Sequence, residues 1–242
     1  MLRHYGKGRT YKHNIYLASI LSTVAGIVNI TGWLALGILT TNVTGHFVFL
    51  SEEIMLHNYQ IALSFILLIN AFLLGAFTSS YLMERGRHNK NKHFVSYVLP
   101  IGMEVVALLL VAFSDILFMQ IRPLGLAMLL LFSMGLQNAL VTQVSQSIVR
   151  TTHLTGLFTD LGIELSQLIF YKKSEERRVL KHSLFLKIMI ITGFTLGGII
   201  GGLLFNNYEL KTLFLAVIIL LIVLLYDAIS IRKRFKKDRK YS

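Results

Sequence analysis

The chain has 242 residues, 54% of them hydrophobic and only 15% charged, with a mean hydropathy of +0.63. Soluble domains carry about a quarter charged residues, so this composition points to lipid as the solvent. The absence of Cys excludes a disulfide framework and a thiolate metal site, and the net charge of +12 falls in clusters between apolar runs, which reads as membrane orientation and not as nucleic-acid binding.

A helix needs about 20 apolar residues to cross the hydrocarbon core, and lipid leaves helices as the natural way to pair backbone groups. The basic arm with Arg3, Lys7, Arg9 and Lys12 precedes an apolar run too long for a signal h-region and without a cleavage site, so it is expected to be a retained first span, Ile15–Leu39. Val43–His57 follows, apolar but too short to span. The second span, Tyr59–Met83, ends at Arg85, Arg87, Lys90 and Lys92. Phe94–Phe113 and Arg122–Ser145 are the third and fourth. Leu154–Phe170 is again short, and Lys172, Lys173, Arg177, Arg178 and Lys181 come after it. Ser183–Phe205 and Lys211–Ile231 are the fifth and sixth spans, followed by a tail with Arg232, Lys233, Arg234, Lys236, Lys237, Arg239 and Lys240. The remaining connections hold Glu52 and Glu53, Asp115 with Arg122, and Glu209 with Lys211. Six alternating crossings put every basic cluster on one face, which predicts cytoplasmic termini at 1–14 and 232–242. The two short segments have the length of half-helices, re-entrant elements or interfacial helices.

The short segments resemble each other. Thr41-Asn42-Val43-Thr44-Gly45-His46-Phe47, with Leu50, Glu53 and Ile54, parallels Thr152-His153-Leu154-Thr155-Gly156-Leu157-Phe158, with Leu161, Glu164 and Leu165. Upstream, Gly26-Ile27-Val28-Asn29 parallels Gly135-Leu136-Gln137-Asn138; downstream, Phe72-Leu73-Leu74-Gly75 parallels Phe194-Thr195-Leu196-Gly197. With a third span each, the units cover about residues 15–113 and 122–231 of a single transmembrane domain. Three spans is an odd number, so the second unit enters from the opposite face, an inverted repeat of the kind found in secondary transporters. Thr44 and Thr155 are expected as N-caps of the half-helices, Gly45 and Gly156 as points of close backbone approach. A half-helix N-terminus suits an anionic or polar solute; ordinary capping and packing explains each residue taken singly.

Ala25-Gly26 with Asn29 and Asn42-Val43-Thr44-Gly45-His46, then Met134-Gly135-Leu136-Gln137-Asn138-Ala139 and Arg150-Thr151-Thr152-His153-Leu154-Thr155-Gly156, resemble the two signatures of the YoaK-like family over nearly the whole chain. The resemblance implies a bacterial inner-membrane protein of about six spans and carries no established activity. Asn29 stands where that family commonly has an acid, and His46 where it commonly has Asn.

Ionisable groups inside spans are functional candidates. Glu104 sits mid-span beyond Pro100 and Gly102, where it could carry a proton or bond a neighbouring helix. Asp160 and Glu164 share a face one turn apart, lining a polar path or meeting water. Asp227 is expected to pair with a nearby Arg or Lys. Asn29, Asn70, Gln137 and Asn138 read as glue between helices, with Asn29 and Asn138 also near the breaks and able to face a solute, together with Asn42. His46 and His153 flank the breaks without metal-ligand spacing. Gly193, Gly197, Gly198, Gly201 and Gly202 are expected to seat the fifth span against another helix. Nucleotide loops, metal-hydrolase helices and nucleophile elbows are absent from the sequence. The expected function is a cofactor-free permease for a small polar or anionic solute, not an enzyme, with homo-oligomerisation left open. The alternatives are a membrane enzyme on a lipid-like substrate, with Glu104, His153, Asp160 and Glu164 as acid–base groups, and a structural or regulatory partner of another membrane protein.

Overall fold

The apolar run after Tyr11 stays helical until Gly37, whose φ of +67° suits a residue without a side chain. There the Gly37 N–H reaches back to the Trp33 carbonyl at 2.9 Å, an ordinary left-handed helix stop. The computed structural model describes residues 11–88, 95–114, 123–145, 149–171 and 173–238, and no strand occurs among them. The helices are α1 (Tyr11–Leu36), α2 (Val43–Met55), α3 (Tyr59–His88), α4 (Val95–Ala112), α5 (Pro123–Val144), α6 (Leu154–Phe170), α7 (Ser174–Tyr208) and α8 (Leu213–Asp238), with a 3-10 turn at Glu209–Thr212. The expected loop charges Lys90, Lys92, Asp115, Arg122 and Lys172, the arm from Arg3 to Arg9, Phe94, and Arg239 and Lys240 lie outside the described residues.

His13–Leu36, Tyr59–Gly86 and Pro123–Val144 are each long and apolar enough to cross a membrane. So is the stretch Ser174–Ile229, which runs through α7 and α8. Within it Glu209 takes φ 47° and ends α7. Tyr97–Ala112 of α4 is apolar but shorter. The first helix therefore stops before the expected Leu39, because Gly37 breaks it. α7 starts before the expected Ser183: Glu175 and Glu176 in its first turn favour helix there. At 35 residues it is about 50 Å long, so its charged start overhangs the apolar part.

Two close helix pairs form the framework. In the first, α1 lies along α7, with Gly193 against Ser19, Gly197 against Thr23 and Gly201 against Ile27. The numbers rise together, so the helices run parallel, and the expected glycine seam finds its partner in α1. In the second, α3 lies along α5 in the same sense: Gly75 meets Phe132 and Leu136, Gly135 meets Phe72 and Ala76, and Gln143 hydrogen-bonds Ser80. Small residues let such backbones touch where lipid gives no hydrophobic drive to associate. Gly26 packs on Phe194 and Gly198 as Gly135 packs on Phe72 and Ala76; the sequence match had already paired Gly26 with Gly135 and Phe194 with Phe72.

α1 and α5 sit at the centre and run antiparallel, since Gln137 bonds the Leu21 carbonyl while Leu130 lies against Gly32. α4 and α8 close one side, joined at Phe113 and Phe214, whose rings meet edge-on at 4.9 Å. Their buried faces share one apolar cluster with α1 and α5, which includes Leu17, Leu108, Met134 and Leu220. Outward faces carry large exposed apolar side chains, such as Leu73 and Phe77 on α3 and Ile199 and Leu203 on α7. A surface this apolar suits lipid and not water.

Candidate functional site

Between α1 and α2 the chain turns back on itself. The side-chain oxygen of Asn29 accepts from the Thr41 hydroxyl at 3.0 Å, the Thr41 N–H at 3.2 Å and the Thr40 hydroxyl at 3.4 Å. Asn29 lies about 10 Å below the end of α1, so the connecting segment dips into the bundle before α2 begins. All three bonds go to the Asn29 oxygen, and a carboxylate could stand in for it there. Asn42 then caps α2 by accepting from the Gly45 N–H at 3.0 Å. Thr44, expected at that cap, is exposed within the first turn; Asn42 holds the cap because its oxygen reaches the N–H three residues on. His46 is buried, and its Nε2 donates to the Leu39 carbonyl at 2.8 Å. Nδ1 is buried without a hydrogen-bond partner among the described residues. Its ring lies 6.0 Å from that of Phe65, which stacks on Phe49 at 5.4 Å. α2 stops with His57 at φ 61° and the Asn58 N–H bonded to the Glu53 carbonyl at 2.8 Å. The Glu53 carboxylate accepts from the Asn58 side chain, so it serves this turn.

The second break repeats the first on the other half. Asn138 accepts from the Thr152 hydroxyl at 3.0 Å, again below the end of its helix. Gln137, fully buried, donates to the Leu21 carbonyl at 3.0 Å and lies 3.5 Å from the Thr151 hydroxyl. Its oxygen is buried without a partner among the described residues. His153 occupies the cap position of α6 without a capping bond from its side chain, and a side chain at Gly156 would run into the His153 ring. Thr155, the other expected cap, is exposed inside the first turn.

Asp160 and Glu164 share a helix but not a role. Asp160 is exposed. Glu164 is drawn to α7, where Lys187 Nζ and the Ser183 hydroxyl each lie 2.6 Å from its Oε1. Lys187 and Glu164 keep only 12% and 16% of their side chains exposed, which makes this a partly buried ion pair. Asn70, expected to bind helices together, faces outward and bonds the Ile66 carbonyl of its own helix at 2.9 Å. Asp227 is buried and engaged. Glu104 is fully buried on α4 and shares no hydrogen bond with either break among the described residues. No group of three or more His, Asp or Glu side chains placed to hold a metal occurs among the described residues. Sequence reasoning missed Thr40, Thr151, Ser183 and Lys187; the Thr-Thr pair ahead of each break was the available signal for the first two.

Residues 17–226, which include both breaks and both helix pairs, match a family described as a protein of unknown function, DUF1275. The chain belongs to this family. The UPF0700 transmembrane protein YoaK of Bacillus subtilis is 25% identical over 190 residues, which cover 77% of this chain and 82% of the relative. The resemblance to YoaK-like proteins read from the two signatures is thereby borne out. No solved structure matches. With its apolar helices and a transmembrane relative, this member of DUF1275 is a membrane protein. The family's description assigns no activity.

Proposed function

We propose that the chain is a secondary transporter or permease for a small polar or anionic solute, built as two inverted three-span repeats in the bacterial inner membrane with both termini in the cytoplasm. The observation that carries this reading is the pairing of contacts. Gly26 on Phe194 and Gly198 mirrors Gly135 on Phe72 and Ala76, and Thr41 on Asn29 mirrors Thr152 on Asn138. A pseudo-twofold axis in the membrane plane relates these sets, as expected when each unit has an odd number of spans.

In six alternating crossings α1, α4 and α7 rise while α3, α5 and α8 descend. The parallel pairs α1–α7 and α3–α5 and the antiparallel pair α1–α5 agree with that order. The breaks then dip inward from opposite faces. Counting helical rise from the Gln137–Leu21 contact to Asn29, they approach within about 12 Å of each other along the axis. The α2 and α6 N-termini therefore aim toward the interior with a partial positive charge, the Gly45 N–H of α2 being capped by Asn42. Rocking of one unit against the other would expose the space between them to each side in turn.

A thermal-shift screen of small polar and anionic solutes selects a probe, since binding stabilises the folded state by mass action. Counterflow of that radiolabelled solute in proteoliposomes is then compared for wild type, Gly45→Leu and Gly156→Leu. We expect counterflow in wild type and its loss in both variants. Unchanged counterflow in both would remove the proposed mechanism, and no counterflow for any solute would remove the function.

A further inference from the structure

Several buried polar side chains in this bundle find backbone partners, while Ser79, Ser114 and Thr212 have none among the described residues. Ser22, Thr31 and Ser133 bond carbonyls of their own helices, and Gln137 and His46 bond more distant ones. Glu104 differs from those hydroxyls in being a carboxyl, a group far costlier to bury once charged. It is fully buried, and neither carboxyl oxygen has a hydrogen-bond partner among the described residues. Its neighbours in sequence on α4, Ile101, Val105 and Leu108, belong to the apolar core shared with α5 and α8.

A carboxyl kept as glue between helices donates its hydroxyl to a carbonyl or side chain. Among the described residues Glu104 makes no such bond, and a buried polar group left unsatisfied costs about 1–3 kcal/mol. Met or Leu would fill the same space without that cost. Intramembrane acids retained at such cost mark ion and proton pathways. Pro100 lies one turn earlier within the helix. It lacks an N–H for the Ser96 carbonyl, which loosens α4 on the way to Glu104.

Resting on the transporter reading, we propose that Glu104 is the proton-binding carboxyl that couples solute movement to proton movement. A proton from water on one side binds a Glu104 oxygen and returns to water on the other side when the units have rocked; no other bond changes. α5 carries no ionisable side chain to compete. Glu84 and Arg85 on α3 and Asp227 on α8 lie toward the Tyr97 end of α4, and Glu84, Tyr97 and Asp227 are engaged in contacts of their own. Tyr81 and Tyr226 face outward, and Glu209 and Lys211 on the 3-10 turn are exposed at the other end.

The purified full-length protein in liposomes is examined by infrared difference spectroscopy over a pH series, beside Glu104→Gln and Glu104→Met. We expect a carboxylic-acid carbonyl band that varies with pH, shifts in D2O and is missing from both variants, and melting temperatures of both variants at or above wild type. A band that ignores pH and D2O, or persists in Glu104→Gln, would overturn proton binding. Melting of both variants well below wild type would overturn it too, assigning Glu104 to helix packing. Counterflow that persists while net uptake ignores an imposed pH gradient overturns the coupling and leaves transport standing. Absence of counterflow for every solute overturns the transport reading by a separate signal.

Discussion

Gly26 and Gly135 occupy positions where one methyl group has no room. A Cβ at Gly26 would fall on the Phe194 carbonyl and the Gly198 N–H, and one at Gly135 on the Phe72 carbonyl and the Ala76 N–H. These obstacles are backbone, so they yield only if a helix moves. Overpacking a fitted interior costs about 1–3 kcal/mol, and the rigid obstacle puts Gly26→Ala and Gly135→Ala at the upper end. Gly102 and Gly162 supply the control, because nothing lies within 4 Å of a Cβ there. Ala at either should leave stability unchanged or raise it by about 0.5–1 kcal/mol through helix propensity. Melting curves in detergent separate the two classes. Equal behaviour of all four variants would show that the close helix pairs are not what holds the bundle. At the same scale Asn29 and Asn138 act as fasteners: each holds a returning Thr, and no solute is needed to explain their side-chain oxygens.

The two short helices α2 and α6 are anchored by different chemistry. α2 is held through the buried His46 against Phe65, whose ring stacks on that of the exposed Phe49. α6 is held to α7 through Glu164, Lys187 and Ser183. Hydrogen bonds to charged groups contribute about 1.5–3 kcal/mol, so Lys187→Met and Glu164→Gln should each lower stability by about 2 kcal/mol. The double variant should cost less than the sum, because the second change removes a group already left unpaired. A thermodynamic cycle reads this coupling; additive losses would show that the pair contributes nothing as a pair. This asymmetry was not legible in the sequence. Apolar length revealed α1, α3 and α5 because the membrane sets it, and the paired Thr-Gly segments revealed α2 and α6 because a half-helix is too short to span. The caps were misread: Thr44 and Thr155 are good cap residues, but the turn-back places Asn42 and His153 at the cap positions. Gln137 bonding the Leu21 carbonyl and Lys187 meeting Glu164 depend on which helices become neighbours. Local pattern does not encode that.

At the scale of the whole molecule, the direction of each helix decides between one inverted pair and a simple row of hairpins. The parallel α1–α7 and α3–α5 pairs exclude a bundle in which only consecutive spans pack. They require α1 and α7 to rise together and α3 and α5 to descend together. That order puts the α2–α3 turn at Asn58 and the 3-10 turn at Glu209 on one face, with Arg85 and Glu176 on the other. The chain has no Cys, so each introduced cysteine is the sole thiol. Asn58→Cys and Glu209→Cys should react with a membrane-impermeant maleimide in intact cells. Arg85→Cys and Glu176→Cys should react only after permeabilisation, under the proposed orientation that places the basic clusters in the cytoplasm. Labelling of Asn58→Cys and Glu209→Cys from opposite faces would leave an odd number of crossings between them. The two Thr-Gly breaks could then no longer enter from opposite sides as proposed, and the proposed alternating site would have no symmetry to operate by.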